Sequence, residues 1–239
     1  MNTYRKSDAH APPDFFAVEA AGLDWLRAAN AVAVPRVVSV GDDHIELERI
    51  DHGPWTPKVD ERFGRELARL HAAGAPTFGG DNATAFIGPL PMPNEPRAVW
   101  PSFYAEQRII PFLPAIPSEH RAPFEHVIAR IDELAGPPEA PARIHGDLWR
   151  GNVLSDPGGT PWAIDPAAHG GHRETDLAMM RLFGGFGLHS FAAYDEAFPV
   201  ADGWEDRIAL HQLHPLLVHA TLYGGTYVES AIAAAGRYA

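Results

Sequence analysis

Residues 144–154 read IHGDLWRGNVL, and residues 163–167 read AIDPA. Two short apolar runs flank a DPGG turn, so this segment predicts a β-hairpin. Because a hairpin returns the chain on itself, we expect Asn152 and Asp165 to face each other at its mouth, with Asp147 beside them. Phosphoryl transfer needs these residue types, since a carboxylate accepts a hydroxyl proton and oxygen ligands bind Mg²⁺. The pattern predicts Asp147 as the base, and Asn152 and Asp165 as metal ligands.

Asp147 and Asn152 have an alternative interpretation as ordinary loop residues, because Asp and Asn commonly hydrogen-bond the backbone of their own turn. Each residue alone favours that alternative. The combined pattern of three polar residues, two strands and a turn favours phosphoryl transfer. A hydrolase with Asp147 and Asp165 as paired carboxylates is a third interpretation. It gives no role to Asn152 or to the hairpin, so it ranks last.

The composition describes a folded protein, with 239 residues, 46% hydrophobic and 21% charged. This length suits one large domain, or a small one joined to a larger one. Cysteine is absent from the sequence, which excludes disulfides and Cys-based zinc sites and suits a reducing compartment. No apolar run approaches the roughly 20 residues that span a bilayer, and the first residues lack the apolar segment of a secretory signal. We therefore expect a cytoplasmic protein.

The charge balance is acidic, with 19 Lys and Arg against 31 Asp and Glu, for a formal net charge of −12. A surface of this sign repels nucleic acid and anionic lipid. We therefore predict neither a nucleic-acid partner nor a membrane partner. An acidic field favours a small cationic substrate, although acidity is more often a matter of solubility. The sequence leaves the oligomeric state open.

The chain divides into a β-containing segment, 1–51, and a mostly helical segment, 52–239. In the first, a helical pattern is followed by two β-rich runs joined by a Gly-Asp-Asp turn. In the second, a stripe of apolar residues precedes a proline-rich stretch, and we expect helices over 98–113 and 118–134. His211, His214 and His219 share a later helical stripe without a carboxylate at ligand spacing, so we predict packing rather than metal binding. The fold class is α/β with two lobes.

Four further runs occur around the hairpin motif: GHRE at 171–174, DLAM at 176–179, LFGG at 182–185 and QL at 212–213. Together with the hairpin motif they resemble the fructosamine kinases, or ketosamine-3-kinases, relatives of the aminoglycoside phosphotransferases within the protein-kinase-like fold. The resemblance implies ATP- and Mg²⁺-dependent phosphorylation of a sugar hydroxyl on a small-molecule ketosamine. In that family the 3-phosphate is unstable and releases the amine, so the reaction serves deglycation.

The resemblance also assigns residues outside the hairpin. It aligns Lys6 with the lysine that binds the α- and β-phosphates, and Glu19 with the acidic residue that pairs with this lysine. Alone, the two would be interpreted as a surface lysine and a solvated glutamate. The resemblance places Glu48 and Ile50 at the hinge, where the backbone contacts adenine. It makes His145 an organiser of the catalytic loop.

The remaining assignments concern the acceptor pocket and the support of the catalytic loop. Asn94, Trp100 and Arg108 lie in the proline-rich segment that resembles the family's insertion beside the acceptor, so they are predicted to contact substrate. Trp149 is predicted to stack on a sugar face, or else to be a core aromatic beneath the catalytic loop. Asp176 is predicted to accept hydrogen bonds from the catalytic-loop backbone.

A glycine-rich hairpin normally covers ATP and precedes the lysine strand in this fold, but only five residues precede Lys6. We therefore expect a truncated N-lobe with weakened ATP binding, either because the reading frame begins earlier or because the protein lacks the loop. This expectation leaves two alternatives open. One is a catalytically silent module that binds sugar amines, and the other is a kinase of the aminoglycoside phosphotransferase type.

Overall fold

The computed structural model describes residues 2–239. The chain begins with strand β1 (Thr3–Ser7), helix α1 (Phe15–Arg27) and strands β2 (Val37–Gly41) and β3 (His44–Glu48). The strands form an antiparallel sheet in the order β1-β3-β2, in which Lys6 lies opposite Ile45. The predicted helix and the hairpin that follows it are thereby confirmed.

The rest of the chain is mainly helical within the described residues. Its helices are α2 (Pro57–Ala72), α3 (Trp100–Tyr104), α4 (Ala122–Ala129), α5 (Ile131–Leu134), α6 (Arg173–Leu182), α7 (Leu188–Ala197), α8 (Trp204–Tyr223) and α9 (Thr226–Ala235). Three antiparallel strand pairs lie between them: β4 (Thr84–Ile87) with β5 (Leu90–Pro93), β6 (Ala142–Ile144) with β9 (His169–Gly171), and β7 (Val153–Ser155) with β8 (Pro161–Ala163).

Helix α2 shows how local sequence sets an element and its packing. Thr56 precedes the first turn, and its hydroxyl accepts a hydrogen bond from the backbone N–H of Val59 at 3.3 Å. This is the expected cap for a helix that starts with proline. Phe63, Leu67 and Leu70 recur at helical spacing and are all buried. The predicted apolar stripe therefore faces the core.

The proline-rich segment differs from the two long helices expected over 98–113 and 118–134. Helix α3 continues into a π-helical turn over Ala105–Ile109 and then a 3-10 turn over Ile110–Ala115. Pro111 and Pro114 cannot donate backbone hydrogen bonds, which prevents a regular α-helix there. The second expected helix is divided between α4 and α5, after a short 3-10 turn at Ser118–His120.

One hydrophobic cluster joins the two predicted segments. It contains Leu23 and Ile45 from the first segment, and Phe63 and Val153 from the second. Burial of apolar surface across residue 51 stabilises the two segments against each other. The division at residue 51 stays a prediction. No helix among residues 2–239 is both long and apolar enough to cross a membrane.

Candidate active site

The catalytic loop follows β6 and passes through a glycine with a positive φ. Gly146 has φ 82°, and a Cβ atom at this position would lie 2.2 Å from the carbonyl oxygen of Ala167. Only glycine combines this conformation with so close an approach of two backbone segments. The loop is therefore held tightly against the segment that follows Asp165.

Asp176, near the start of α6, fixes the backbone of this loop. Its carboxylate accepts hydrogen bonds from the N–H groups of His145, at 2.8 Å, and Gly146, at 2.9 Å. His71 Nε2 contacts the same carboxylate at 3.1 Å. Burial opposes ionisation of Asp176, but the hydrogen bonds from His71 and the loop backbone outweigh it and hold its pKa below the usual range. A buried carboxylate thus supports the loop from beneath.

His145 connects the loop with the hairpin. Its Nδ1 accepts a hydrogen bond from the backbone N–H of Asp147 at 3.3 Å, and its Nε2 donates to the carbonyl oxygen of Ile164 at 2.9 Å. The ring is buried, so both contacts are shielded from water. His145 therefore fixes the distance between the backbone of Ile164, just before Asp165, and the backbone of Asp147.

Asn152 lies beside Asp147. Its Nδ2 group donates to the carbonyl oxygen of Asp147 at 2.9 Å and to Oδ2 of the same residue at 3.0 Å. The carbonyl oxygen of Asn152 accepts the N–H of Ile164 at 3.0 Å, which closes the end of the β7–β8 hairpin. Since Nδ2 makes both contacts with Asp147, Oδ1 is the amide atom that remains for a cation.

Lys6 lies between two acidic side chains. Its Nζ is 2.9 Å from Oε2 of Glu19 on α1 and 3.3 Å from Oδ1 of Asp165. Burial lowers the pKa of Lys6, but the two carboxylates more than compensate and raise it. Burial raises the pKa of Glu19 even though Lys6 opposes this shift. Asp165 itself has a left-handed backbone with φ 51°, which is uncommon for a residue other than glycine.

Asp147 is mostly shielded from water, and burial raises the pKa of its carboxyl group. His145 and the hydrogen bond from Asn152 oppose this shift. A carboxylate with a raised pKa is a stronger proton acceptor than an exposed aspartate. Such a perturbation in a cleft is typical of functional groups.

Several of the side chains described above line one cavity of about 570 Å³. Six residues proposed from the sequence line it: Lys6, Glu19, Asp147, Trp149, Asn152 and Asp165. Trp149 is 42% exposed, and its ring lies over Gly151. It is therefore a wall residue of the cavity rather than a core aromatic. The hairpin pattern predicted that Asp147, Asn152 and Asp165 converge, and they do.

The sequence analysis missed most of the opposite wall. Residues 85–89, which contain the β4–β5 turn, line the cavity. Aromatic side chains continue outward from the catalytic loop, and we call them the aromatic row: Trp149, Phe183, His219, Tyr223 and Tyr227. The i, i+4 spacing of His219 and Tyr223 was the available signal, but spacing alone does not reveal which helix face lines a cavity. His219 was predicted to pack in the core or between the lobes. Its ring is partly buried against Phe183, Tyr223 and Tyr227, and it also lines the cavity.

Asn94, Trp100 and Arg108 do not line the cavity, which corrects their predicted contact with substrate. Arg108 is 2% exposed, and its guanidinium bonds to Asn94 Oδ1 at 3.2 Å and to the carbonyl oxygen of Pro93. Burial lowers its pKa to about 9. Trp100 stacks on His211 with ring centroids 4.6 Å apart. These three residues stabilise the proline-rich segment from inside.

Glu48 and Ile50 also lie outside the cavity, at the end of β3. The backbone N–H of Glu48 donates to the carbonyl oxygen of Arg36 at 2.8 Å, and its carboxylate pairs with the Arg36 side chain. The predicted adenine contact through the backbone stays a prediction, and it cannot use the N–H of Glu48 without breaking the contact with Arg36.

His211 and His214 are buried, in agreement with the predicted packing role. His172, Glu174 and His211 nevertheless cluster within 4.8 Å, so a carboxylate does lie beside this stripe in space. Both oxygens of Glu174 bond to Arg207, at 2.9 and 2.6 Å. A cation would have to displace this guanidinium, so the cluster is a buried ion-pair network.

The fold is of the protein-kinase-like class. A crystal structure of choline kinase from Streptococcus pneumoniae aligns over 98% of this chain and 85% of its own, with a TM-score of 0.65 at 14% identity. At that identity the likeness concerns the fold alone. The predicted α/β kinase-like fold is confirmed.

The model of the fructosamine kinase family matches residues 2–237, so the chain belongs to that family. A protein of Synechocystis sp. assigned as a ketoamine kinase is 34% identical over 224 residues, which cover 90% of this chain and 76% of the relative. A crystal structure assigned to the fructosamine-3-kinases, from Thermobifida fusca, shares 47% identity with a TM-score of 0.93, over 99% of this chain and 85% of that one. The resemblance is thereby confirmed. The protein is a kinase that phosphorylates an alcohol group and uses a nucleotide.

Proposed function

We propose that the protein transfers the γ-phosphoryl group of ATP, with Mg²⁺, to a sugar hydroxyl of a ketosamine. The observation that carries this proposal is the convergence of Asp147, Asn152, Asp165 and Lys6 on one cavity in a member of the fructosamine kinase family. Phosphorylation at the 3-position gives an unstable product that releases the amine, so the physiological role is deglycation.

Asp147 acts as the base in this proposal. The substrate hydroxyl gives its proton to the Asp147 carboxylate while its oxygen forms a bond to phosphorus. The bond from phosphorus to the leaving oxygen breaks, and ADP is released. The raised pKa of Asp147 supports this role, because a stronger base accepts the proton more readily. Asn152 orients the carboxylate through its hydrogen bond to Oδ2, and it holds the Asp147 backbone through a second bond to the carbonyl oxygen.

Asn152 and Asp165 would hold the magnesium ion. Their donor set suits it, since Asp165 offers a carboxylate and Asn152 still has its Oδ1, and Mg²⁺ prefers hard oxygen ligands. When bound, the ion neutralises charge on the nucleotide phosphates. Asp165 is 45% exposed and reaches the cavity, so its carboxylate is accessible to a solvated ion.

Lys6 would bind the α- and β-phosphates, and Glu19 would keep the ammonium group in position. The Lys6–Glu19 pair at 2.9 Å supports this assignment. The carbonyl oxygen of Glu48 and the N–H of Ile50 would bind adenine. Trp149, two positions after the base in the sequence, would stack on the sugar.

The proposal is tested by incubation with ATP, Mg²⁺ and either a fructosamine or a kanamycin-type acceptor. We expect ATP-dependent phosphate incorporation into the fructosamine, and its loss in Asp147→Asn without a change in melting temperature. Phosphorylation of kanamycin alone would favour an aminoglycoside kinase. A binding module would phosphorylate neither acceptor and show no thermal shift at millimolar ATP with Mg²⁺, which would refute the proposal.

A further inference from the structure

The aromatic row extends from the predicted base to solvent. Trp149 contacts Phe183 with ring centroids 6.4 Å apart, Phe183 contacts His219 at 4.9 Å, and His219 contacts Tyr227 at 4.9 Å. Tyr223 lies 5.9 Å from Tyr227 and is 68% exposed. A substrate whose hydroxyl reaches Asp147 therefore has an aromatic surface along its outer part.

The charges of this cavity are unbalanced. Among residues 2–239, Lys6 is the single Lys or Arg that lines it, and three carboxylates line it as well: Glu19, Asp147 and Asp165. Two of these carboxylates already pair with Lys6. The lining thus offers no further ammonium or guanidinium group to a negatively charged substrate.

His219 also lines the outer cavity. Its Nδ1 donates to the carbonyl oxygen of Pro215 at 2.7 Å, so this nitrogen is already engaged by the backbone of its own helix. The outer cavity therefore combines aromatic faces with a shortage of positive charge.

We propose that the aromatic row binds the amine-derived part of the ketosamine, and that the protein prefers ketosamines whose amine carries an uncharged aromatic or apolar substituent. This inference rests on the proposed function. The protonated secondary amine of a ketosamine is attracted to aromatic faces, and an aromatic substituent packs on them. An α-carboxylate, as in an adduct of a free amino acid, would lose water without gaining a cationic partner.

Three ketosamines with one sugar test the charge selectivity: the adducts of 2-phenylethylamine, phenylalanine and phenylalaninamide. The first two differ by a carboxylate, and the amide restores the bulk without the charge. We expect similar kcat/KM values for the amine and amide adducts, and a value at least tenfold lower for the acid, since one uncompensated charge costs about this much. Equal values for acid and amide would overturn the inference.

Tyr223 tests the aromatic contact. Tyr223→Ala should lower kcat/KM for the phenylethylamine adduct about threefold to tenfold, the usual contribution of one aromatic contact. It should lower kcat/KM for the methylamine adduct by a smaller factor, since that adduct keeps the amine but lacks the ring, and Tyr223→Phe should retain wild-type values. Leu188→Ala is the matched surface control, since Leu188 is 85% exposed and outside the cavity. Equal losses for both adducts would contradict a contact with the substituent.

The two proposals fail in different ways. Phosphorylation of all three adducts at one rate refutes the selectivity and leaves the kinase assignment intact. If no adduct is phosphorylated, the proposed function fails, and calorimetric binding of the same adducts decides the inference. Binding of the amide but not the acid would support it, and binding of neither would refute it.

Discussion

Lys6 Nζ lies 3.3 Å from Asp165 Oδ1, although 159 positions separate the two residues in the sequence. The contact joins the first strand to the residue that follows the β7–β8 hairpin. The same ammonium group pairs with Glu19, whose second oxygen is buried without a hydrogen-bond partner. Lys6 is therefore the shared cation of this side of the cavity.

Lys6→Met should raise KM for ATP about tenfold to a hundredfold, because hydrogen bonds to charged groups contribute this much. It also leaves the Glu19 carboxylate without its cation, so the pKa of Glu19 rises further in the folded state. A carboxyl group whose pKa is raised in the folded state stabilises the protein at low pH. This stabilisation is lost as pH rises through the folded pKa. The variant should therefore be less stable at pH 8 than at pH 5, by urea unfolding. Lys58→Met, at an exposed position of α2, is the control for both measurements.

The activity should depend on pH through Asp147. The base must be deprotonated, and burial raises its pKa above the ordinary 3.8. As pH falls through that raised value, protonation removes the base and kcat/KM decreases. We therefore expect an acid limb with a midpoint above pH 3.8, measured with a ketosamine at saturating ATP. The residual rate of Asp147→Asn should show no such limb, and an unchanged limb would contradict the assignment.

Asp176→Asn should destabilise the protein by about 2–4 kcal/mol, because an amide oxygen cannot replace a buried carboxylate that accepts from three donors. The folded pKa of Asp176 lies below its unfolded value. Its contribution is therefore complete well above pH 3.8 and is lost as pH falls through the folded pKa. Urea unfolding at pH 7 and near pH 3 should show a smaller difference from wild type at the lower pH. Asp132→Asn, on the exposed face of α5, should change neither value.

Gly146→Ala should lower the free energy of unfolding by about 3 kcal/mol and abolish most activity. The new Cβ would clash with the Ala167 carbonyl oxygen, and alanine would also be strained at this positive φ. Gly74→Ala separates the two effects. Gly74 also has a positive φ of 69°, but its Cβ would meet only an ordinary contact at 3.7 Å. That control should cost about 1 kcal/mol and leave kcat unchanged. Equal losses from both substitutions would show that the close approach at Gly146 has no separate effect.

The chemical centre could be predicted from the sequence because its parts are close in the chain. Asp147, Asn152 and Asp165 lie within one loop and one hairpin, so turn chemistry and strand pairing determine their proximity. The pairing of Lys6 with Glu19 needed the family resemblance, since a lysine and a glutamate 13 positions apart carry no local signal.

The walls of the cavity could not be predicted in the same way. Asn94, Trp100 and Arg108 are polar or aromatic residues in an irregular segment, and the sequence does not reveal that the chain folds over them. Phe183 and Tyr223 look like ordinary helix residues in the sequence. They reach the cavity because α8 packs against α6 and α9, which orients one face of each helix.

The sequence by itself determined the hairpin and the spacing of the three oxygen-bearing residues, because both depend on neighbours within about 20 residues. Only the tertiary structure decided which aromatic side chains surround the substrate space and which charged groups are buried. Those outcomes depend on how helices that are distant in the sequence pack together. The hydrophobic effect that drives this packing is non-directional, so the local sequence does not specify which faces meet.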